Sequence, residues 1–420
     1  MTVIPQDSEQ FEFLFKSAPD IFLDLTEQSD DLFSQITIID SIFNFYPYAE
    51  IYFRDNLGII GEHAYFVEGL EFNMQLGNNE DGYLENNYCW SENQYGDIEI
   101  GNHLSGTNAF ILLSSLYKKD YKRSRAFSES PISSIVRDIL QDTIKGLGVS
   151  NTSLLNIATT VGSDKWSMMN ETYAQFIQRL AQSAYSQTYN KSPFLTFFNL
   201  AGEFYFQPLA KMYEQTPINE TPYILSWGGE DNDIYSDEMA NIAVIKDYNA
   251  SSLGMPTNKH NYKKKGFWLD EYGNFQNREF DISDYLIKHE GKGKFLLRKS
   301  DQTNIRDRVN LGLYNSEVHK NILEGVINHL FVDSLMSYRM DIVLQFNNKL
   351  NAGKVIKLEI DSADEEKGGS SEYSGNWLIL ESEILKDSEA TRGIPLMNLT
   401  IAKCTIDIDS NHKFYNDFLG

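Results

Sequence analysis

The spacing of apolar positions changes along the chain, and the changes divide it. Ile36 to Ile42, Ala49 to Asp55, Phe72 to Leu76 and Phe110 to Tyr117 are short runs rich in β-branched or aromatic residues, which predicts strands. Phe72, Met74 and Leu76 alternate with Asn73 and Gln75, the pattern of a strand with one face buried. Glycines at 58, 61, 77, 82, 96, 101 and 106 punctuate the connections. The Asn- and Glu-rich stretch from Asn78 to His103 is expected to be an exposed excursion between strands.

A helical period then takes over. Ser130 followed by Pro131 predicts an N-cap and first helical residue, and Ile132, Ile135, Val136, Ile139 and Leu140 form one stripe before Gly146. Asn170 is expected to cap a second helix, in which Tyr173, Phe176, Ile177, Leu180, Ala181 and Ala184 recur at spacings of three and four. Phe194 to Phe198 and Phe204 to Pro208 flank Gly202 as a hairpin, and Gly266 to Phe280 repeats that design around Tyr272-Gly273-Asn274.

One more helix is predicted after Ser316, with Val318, Ile322, Val326 and Leu330 along one side. Four strands follow: Met340 to Phe346, Val355 to Ile360, Trp377 to Ile384 and Leu399 to Ile408. The acidic, then Gly/Ser-rich loop from Asp361 to Tyr373 is expected to be solvated. The pattern is that of an α+β, β-rich fold, with two strand sets enclosing a mixed α/β middle.

Length and composition narrow the function classes. The 420 residues suggest roughly two to four domains, and 41% hydrophobic with 13% aromatic residues supplies enough apolar side chain to fold. With 36 Lys+Arg against 60 Asp+Glu the formal charge is −24, which disfavours binding to a phosphate backbone, where affinity comes from cations displacing counterions. The charge is unevenly placed. Residues 1–117 hold 20 Asp/Glu against only Lys16 and Arg54, whereas residues 259–308 hold twelve Lys/Arg against eight Asp/Glu. That basic segment suits an acidic surface, the chain's own N-terminal part included. The start has no basic and then apolar leader, and apolar runs such as Phe110 to Leu113 are far shorter than the about 20 residues that span a bilayer. The expectation is a soluble chain.

Candidate chemistry is sparse. Cys89 and Cys404 are the only cysteines and build neither a disulfide framework nor a zinc site. The histidines at 63, 103, 260, 289, 319, 329 and 412 have no G-x-S-x-G or Cys/His context. His319 and His329 share the third predicted helix but stand ten residues apart, too far to hold one metal. Asp231, Asp233, Asp237 and Glu238 form the densest acidic cluster. A calcium loop would place its third oxygen ligand at Tyr235 and its turn glycine at Ser236, so a solvated acidic turn is preferred. Gly291-Lys292-Gly293 is read as a hairpin turn, since no phosphate-cradling glycine loop occurs. No catalytic, cofactor-binding or metal residue is assigned, and no cofactor is expected.

One combination of motifs stands out. Trp166, Glu171, Tyr173 and Phe176-Ile177-Gln178-Arg179-Leu180-Ala181, followed by the Phe194 to Phe206 hairpin, resemble the middle of bacteriophage tail baseplate hub proteins and of the hub part of VgrG-type spikes. The helix motif Ser130-Pro131-Ile132-Ser133-Ser134-Ile135-Val136-Arg137-Asp138-Ile139-Leu140 is similar to theirs. So are Ala352-Gly353-Lys354-Val355-Ile356 and Tyr373-Ser374-Gly375-Asn376-Trp377-Leu378-Ile379. The resemblance covers most of residues 30–408.

It implies two related β-barrel tube-like domains joined by a mixed α/β middle domain. The corresponding limits are an N-terminal arm (1–20), a first barrel (21–125), a middle domain (126–238) completed by a strand and basic hairpin region (239–318), a second barrel with its leading helix (319–408) and a tail (409–420). It further implies a homotrimer whose six barrels present a pseudo-sixfold ring. Its partners would be the tail tube protein, a central spike or tip protein, baseplate wedge proteins and the tape measure protein, with DNA or cargo only in transit. Such a protein is not an enzyme and has no membrane-spanning segment. It belongs to the virion's baseplate or tip and is assembled in the host cytoplasm. The chain ends at Gly420 without the oligosaccharide-binding domain and needle of VgrG, so the spike is expected to be another protein. The rival readings are a tail-associated glycoside hydrolase with paired Asp/Glu in the middle domain and a peripheral baseplate protein off the axis.

Overall fold

The computed structural model describes residues 12–17, 21–24, 33–53, 71–78, 82–95, 108–114, 116, 119–184, 186, 188, 192–227, 242–250, 263–269, 275–281, 286–288, 295–297, 336, 338–360, 374–387 and 396–403. The helix predicted after Ser316, the Asp361 to Tyr373 loop, the Asp231 to Glu238 cluster, the Gly291 turn and all seven histidines lie outside these residues.

The N-terminal strands are β1 (Glu12–Ser17), β2 (Ile21–Asp24), β3 (Phe33–Ser41), β4 (Tyr48–Phe53), β5 (Glu71–Asn78), β6 (Gly82–Tyr95) and β7 (Asn108–Ser114). They form an antiparallel run in the order β2-β1-β5-β6-β7-β4-β3. The segment expected as an N-terminal arm therefore carries β1, paired with β5.

A second expectation is corrected. The Asn- and Glu-rich excursion contains the 14-residue strand β6, hydrogen-bonded to β5 along one part and to β7 along another. Backbone groups of two neighbouring strands require partners whatever the side chains of the strand between them, and here that requirement outweighs polar composition.

The middle contains β8 (Arg123–Ser130), α1 (Ile132–Gln141), β9 (Leu155–Ile157), β10 (Asp164–Glu171), α2 (Tyr173–Ser183), β11 (Phe194–Phe198), β12 (Phe204–Pro208) and α3 (Leu209–Tyr213). Both predicted helices and the β11–β12 hairpin are present, and their apolar stripes share one core with Trp166, Phe194 and Phe206. The caps differ from expectation. Ser130 ends β8 and Pro131 is itself the N-cap of α1, its carbonyl accepting from Ser134 and Ile135 N–H at 3.0 and 3.2 Å. Thr172, not Asn170, caps α2 through a capping box with Gln175, because only Thr172 has a Gln three residues on to complete it. Asn170 adopts φ 54° at the end of β10, a left-handed conformation that asparagine tolerates.

The remaining strands are β13 (Tyr223–Trp227), β14 (Ile242–Ala250), the hairpins β15 (Lys263–Leu269) with β16 (Phe275–Asp281) and β17 (Leu286–Lys288) with β18 (Phe295–Leu297), then β19 (Tyr338–Gln345), β20 (Val355–Ile360), β21 (Gly375–Asp387) and β22 (Leu396–Lys403). The sequence of pairings β21-β20-β13-β14-β19-β22 returns to β21, so six strands close into a barrel. Two of its staves, β13 and β14, come from upstream of the segment that the resemblance allots to the second barrel. Met340, Ile342, Ile356, Trp377, Leu399 and Ile401 are at most 1% exposed and alternate with exposed or half-buried Arg339, Lys357 and Thr400, so they fill the interior. Eight strands leave just enough room for side chains, and six leave less. The barrel is a packed core and not a pore.

The expected β-rich α+β fold with a barrel is what the structure shows. Among the described residues, closure is found in the C-terminal set, while the N-terminal set is a seven-stranded sheet joined to the barrel through β3 and β21.

Candidate functional site

The seam between β3 and β21 is where the two strand sets meet. Gly375 to Leu378 of β21 pair with β20, and Glu381 to Asp387 pair with β3. Between these stretches the ladder is carried by three other bonds: Ile379 N–H to the Lys354 carbonyl at 2.8 Å, Gly353 N–H to the Ile379 carbonyl at 2.9 Å, and Ile42 N–H to the Leu380 carbonyl at 2.9 Å. Leu380 is bulged against β22, which re-aims the strand. β21 thus passes from β20 to β3 along one edge while it stays paired with β22 along the other.

Alternation gives the seam two unlike faces. On the outer face, Glu381 and Glu383 stand opposite Ser41 and Ile39 of β3; Tyr48 of β4 stands opposite Ile39, and Glu50 opposite Thr37. In the other direction they stand opposite Thr400 and Asn398 of β22, then Asp341 of β19 and Asp247 of β14. Asn398 bridges Lys246 Nζ and the Glu383 carboxylate, each at 2.9 Å, and the Thr400 hydroxyl donates to Asp341 at 2.7 Å. Five carboxylates therefore share a stripe with Lys246 and, at the start of β19, Arg339. Partial burial and then the charges of Glu50, Glu381 and Glu383 push the Tyr48 phenol upward, which places that hydroxyl within the field of both strand sets.

The inner face of the seam carries a buried polar junction. Asp40 is fully buried, and its Oδ2 accepts from Leu200 N–H at 3.1 Å and from Ala352 N–H at 2.9 Å. One carboxyl thereby ties β3 to the β11–β12 turn and to the turn before β20. Ser382, its register partner on β21, is equally buried. Neither Asp40 Oδ1 nor Ser382 Oγ has a hydrogen-bond partner among the described residues.

Beside them Lys354 Nζ lies 2.8 and 2.7 Å from the two Glu203 oxygens, and Glu203 also accepts from Asn199 Nδ2 and the Tyr205 hydroxyl, each at 2.8 Å. Burial opposes ionisation of Glu203, but these donors and the Lys354 charge outweigh it and hold the carboxyl below its usual range. Burial, then the Glu203 charge, pushes Tyr205 up. For Asp40, burial prevails over its two N–H donors, with Glu203 and Glu381 adding repulsion, and its pKa is pushed up to about 7.

A third buried carboxyl anchors the middle. Asp120 accepts from Tyr173 N–H and from Ala174 N–H at 3.1 Å, at the start of α2. Burial raises its pKa against the pull of those donors, the Tyr46 hydroxyl and Arg123. Arg123 lies over the rings of Tyr121 and Tyr173, 3.8 and 4.3 Å from their centroids.

Sequence reading assigned no site residue and so missed Asp40, Glu203, Lys354 and Ser382. One of them left a signal: Asp40 interrupts the apolar run Ile36 to Ile42, and a carboxylate on the buried face of a strand needs a reason to be there. Among the described residues no cluster of three or more His, Cys, Asp or Glu is arranged to hold a metal, and no helix is long and apolar enough to cross a membrane.

No protein-family model matches the chain, and no curated protein matches it. Solved structures similar to it include tail proteins and a type VI secretion component. The 43 kDa tail protein of prophage MuSo2 from Shewanella oneidensis shares 12% identity, over 94% of this chain and 98% of that one, with a TM-score of 0.46. A tail protein from Neisseria meningitidis shares 6%, over 94% and 96%, with a TM-score of 0.48. An Escherichia coli component of the type VI secretion system shares 9%, over 89% and 74%, with a TM-score of 0.43.

Proposed function

We propose that this chain is a structural hub of a phage tail or a phage-like injection device. Three copies form a pseudo-sixfold ring that joins the tail tube to a central spike or tip protein. The observation that carries the reading is the continuity of the two strand sets through β3 and β21. One chain contributes two joined strand sets, which supports a threefold assembly that meets a sixfold partner. The motifs around α1, α2 and the β11–β12 hairpin support the same reading.

The filled barrel supports a conduit that lies outside it. Nothing can thread through the barrel of one copy, so passage runs between copies, along a sheet face. The outer face, with its five carboxylates across the seam, suits that wall because it repels a polyanion in transit and does not bind it. In this reading the chain has no catalytic role of its own. The wedge proteins and tape measure protein are further neighbours.

The test is the mass of the purified chain in solution, alone and with its tube and spike partners, together with images of the particle. A species of three times the chain mass, and three axial copies per tail, are expected. Six or more copies off the axis would replace the hub by a peripheral baseplate protein, and clearing of peptidoglycan by the purified chain would replace it by a hydrolase.

A further inference from the structure

Asp40 stands where a charge is poorly served. It is 0% exposed, one oxygen takes both of its N–H donors, and the other oxygen has none among the described residues. The titratable and charged groups around it are Glu203 and Tyr205 from the β11–β12 hairpin, Lys354 from the turn before β20 and, acting from the other face of β21, Glu381. Lys354 is engaged by both oxygens of Glu203, so among the described residues Asp40 meets two carboxylates and no cation of its own. A buried carboxyl in that setting favours its neutral form.

We propose that the Asp40 junction is a pH-sensitive latch: the neutral carboxyl holds the N-terminal sheet, the middle hairpin and the barrel together, and ionisation loosens that three-way contact. The proposal does not rest on the tail reading, since it concerns contacts within one copy. Neutral Asp40 keeps both N–H bonds on Oδ2 and carries its proton on Oδ1. The anion keeps the same two N–H donors but holds its charge in a dry core with Oδ1 unpartnered among the described residues, and that cost is relieved when the junction opens and water reaches the carboxylate.

The direction in pH follows from the raised pKa. In an opened junction Asp40 ionises near its ordinary value of 3.8, and in the closed junction near 7. Closure is therefore fully favoured in acid, weakens as pH rises through that window and levels off above it.

Hydrogen exchange of the full chain tests this at the Leu200 and Ala352 amides. Rates are corrected for intrinsic pH dependence and referred to the Ala158 amide, which donates to the Phe206 carbonyl. In the wild-type chain, protection at both amides is expected to fall by up to about tenfold per pH unit between about pH 5 and 7, the limit for release of one proton, and then to stay level. The D40N chain, which keeps an acceptor and cannot ionise, is expected to be level throughout. Parallel wild-type and D40N profiles would overturn the latch. Should D40N not fold, the wild-type profile decides alone: protection unchanged between about pH 5 and 7 would overturn it equally.

Discussion

Lys354 and Glu203 illustrate how a half-buried ion pair acts in this molecule. Their side chains are 22% and 20% exposed, and Lys354 is the charge that lets Glu203 ionise beside Asp40. Replacing Lys354 by Met strips a carboxylate of its cation and is expected to destabilise the chain by about 1–3 kcal/mol near neutral pH, read from urea denaturation. Because Glu203 is held below its ordinary value of 4.5, its contribution is present above that value and lost as pH falls through the lowered one. The gap between wild type and K354M should therefore narrow in acid. The neighbouring Gly353 has φ +83°, and a Cβ there would stand 2.6 Å from Phe197 Cζ, on a ring stacked against Tyr205. Gly353→Ala meets both backbone strain and overpacking, and a loss of about 2–4 kcal/mol by the same assay is expected.

At the scale of elements, chain-local chemistry was readable and its details were decided by neighbours. The α1 and α2 stripes, the β11–β12 and β15–β16 hairpins and the strands β19 to β22 follow from apolar spacing, since a period of 3.6 or 2 admits one buried face. Cap positions moved by one or two residues: at α2 the side chain that completes a bond chooses the cap, whereas at α1 Pro131 caps without a side-chain bond. Thr172→Ala removes the Thr172 side-chain bond to Gln175 N–H, 3.2 Å in length, and frees the returning Gln175 contact. It is expected to cost about 1 kcal/mol, with reduced helicity near 222 nm before the main transition. β6 escaped the reading for a different reason: its polar residues carry no period, and only the two adjacent strands make it a strand.

For the whole molecule, charge and topology act together. Reversal at Glu381 and Glu383 alters the outer face of the seam while leaving Asp40 and Ser382 on the inner face. The assembled wild-type protein is expected not to retard duplex DNA in a gel, whereas E381K/E383K is expected to retard it and to lose that binding as salt is raised. Unchanged mobility of the variant at low salt would remove the outer face from the conduit. A change in assembly mass would instead place these residues between copies.

The sequence by itself determined the β-rich class, the helical middle and the uneven distribution of charge, because each depends on residues within one or two turns or strands of each other. Tertiary structure alone decided the six-strand closure, the hand-over of β21 and the junction at Asp40. The two bonds to that carboxyl span 160 and 312 positions of the chain. No local pattern encodes a contact across such distances. It exists only once the packing of three separate regions has removed water from the same carboxyl.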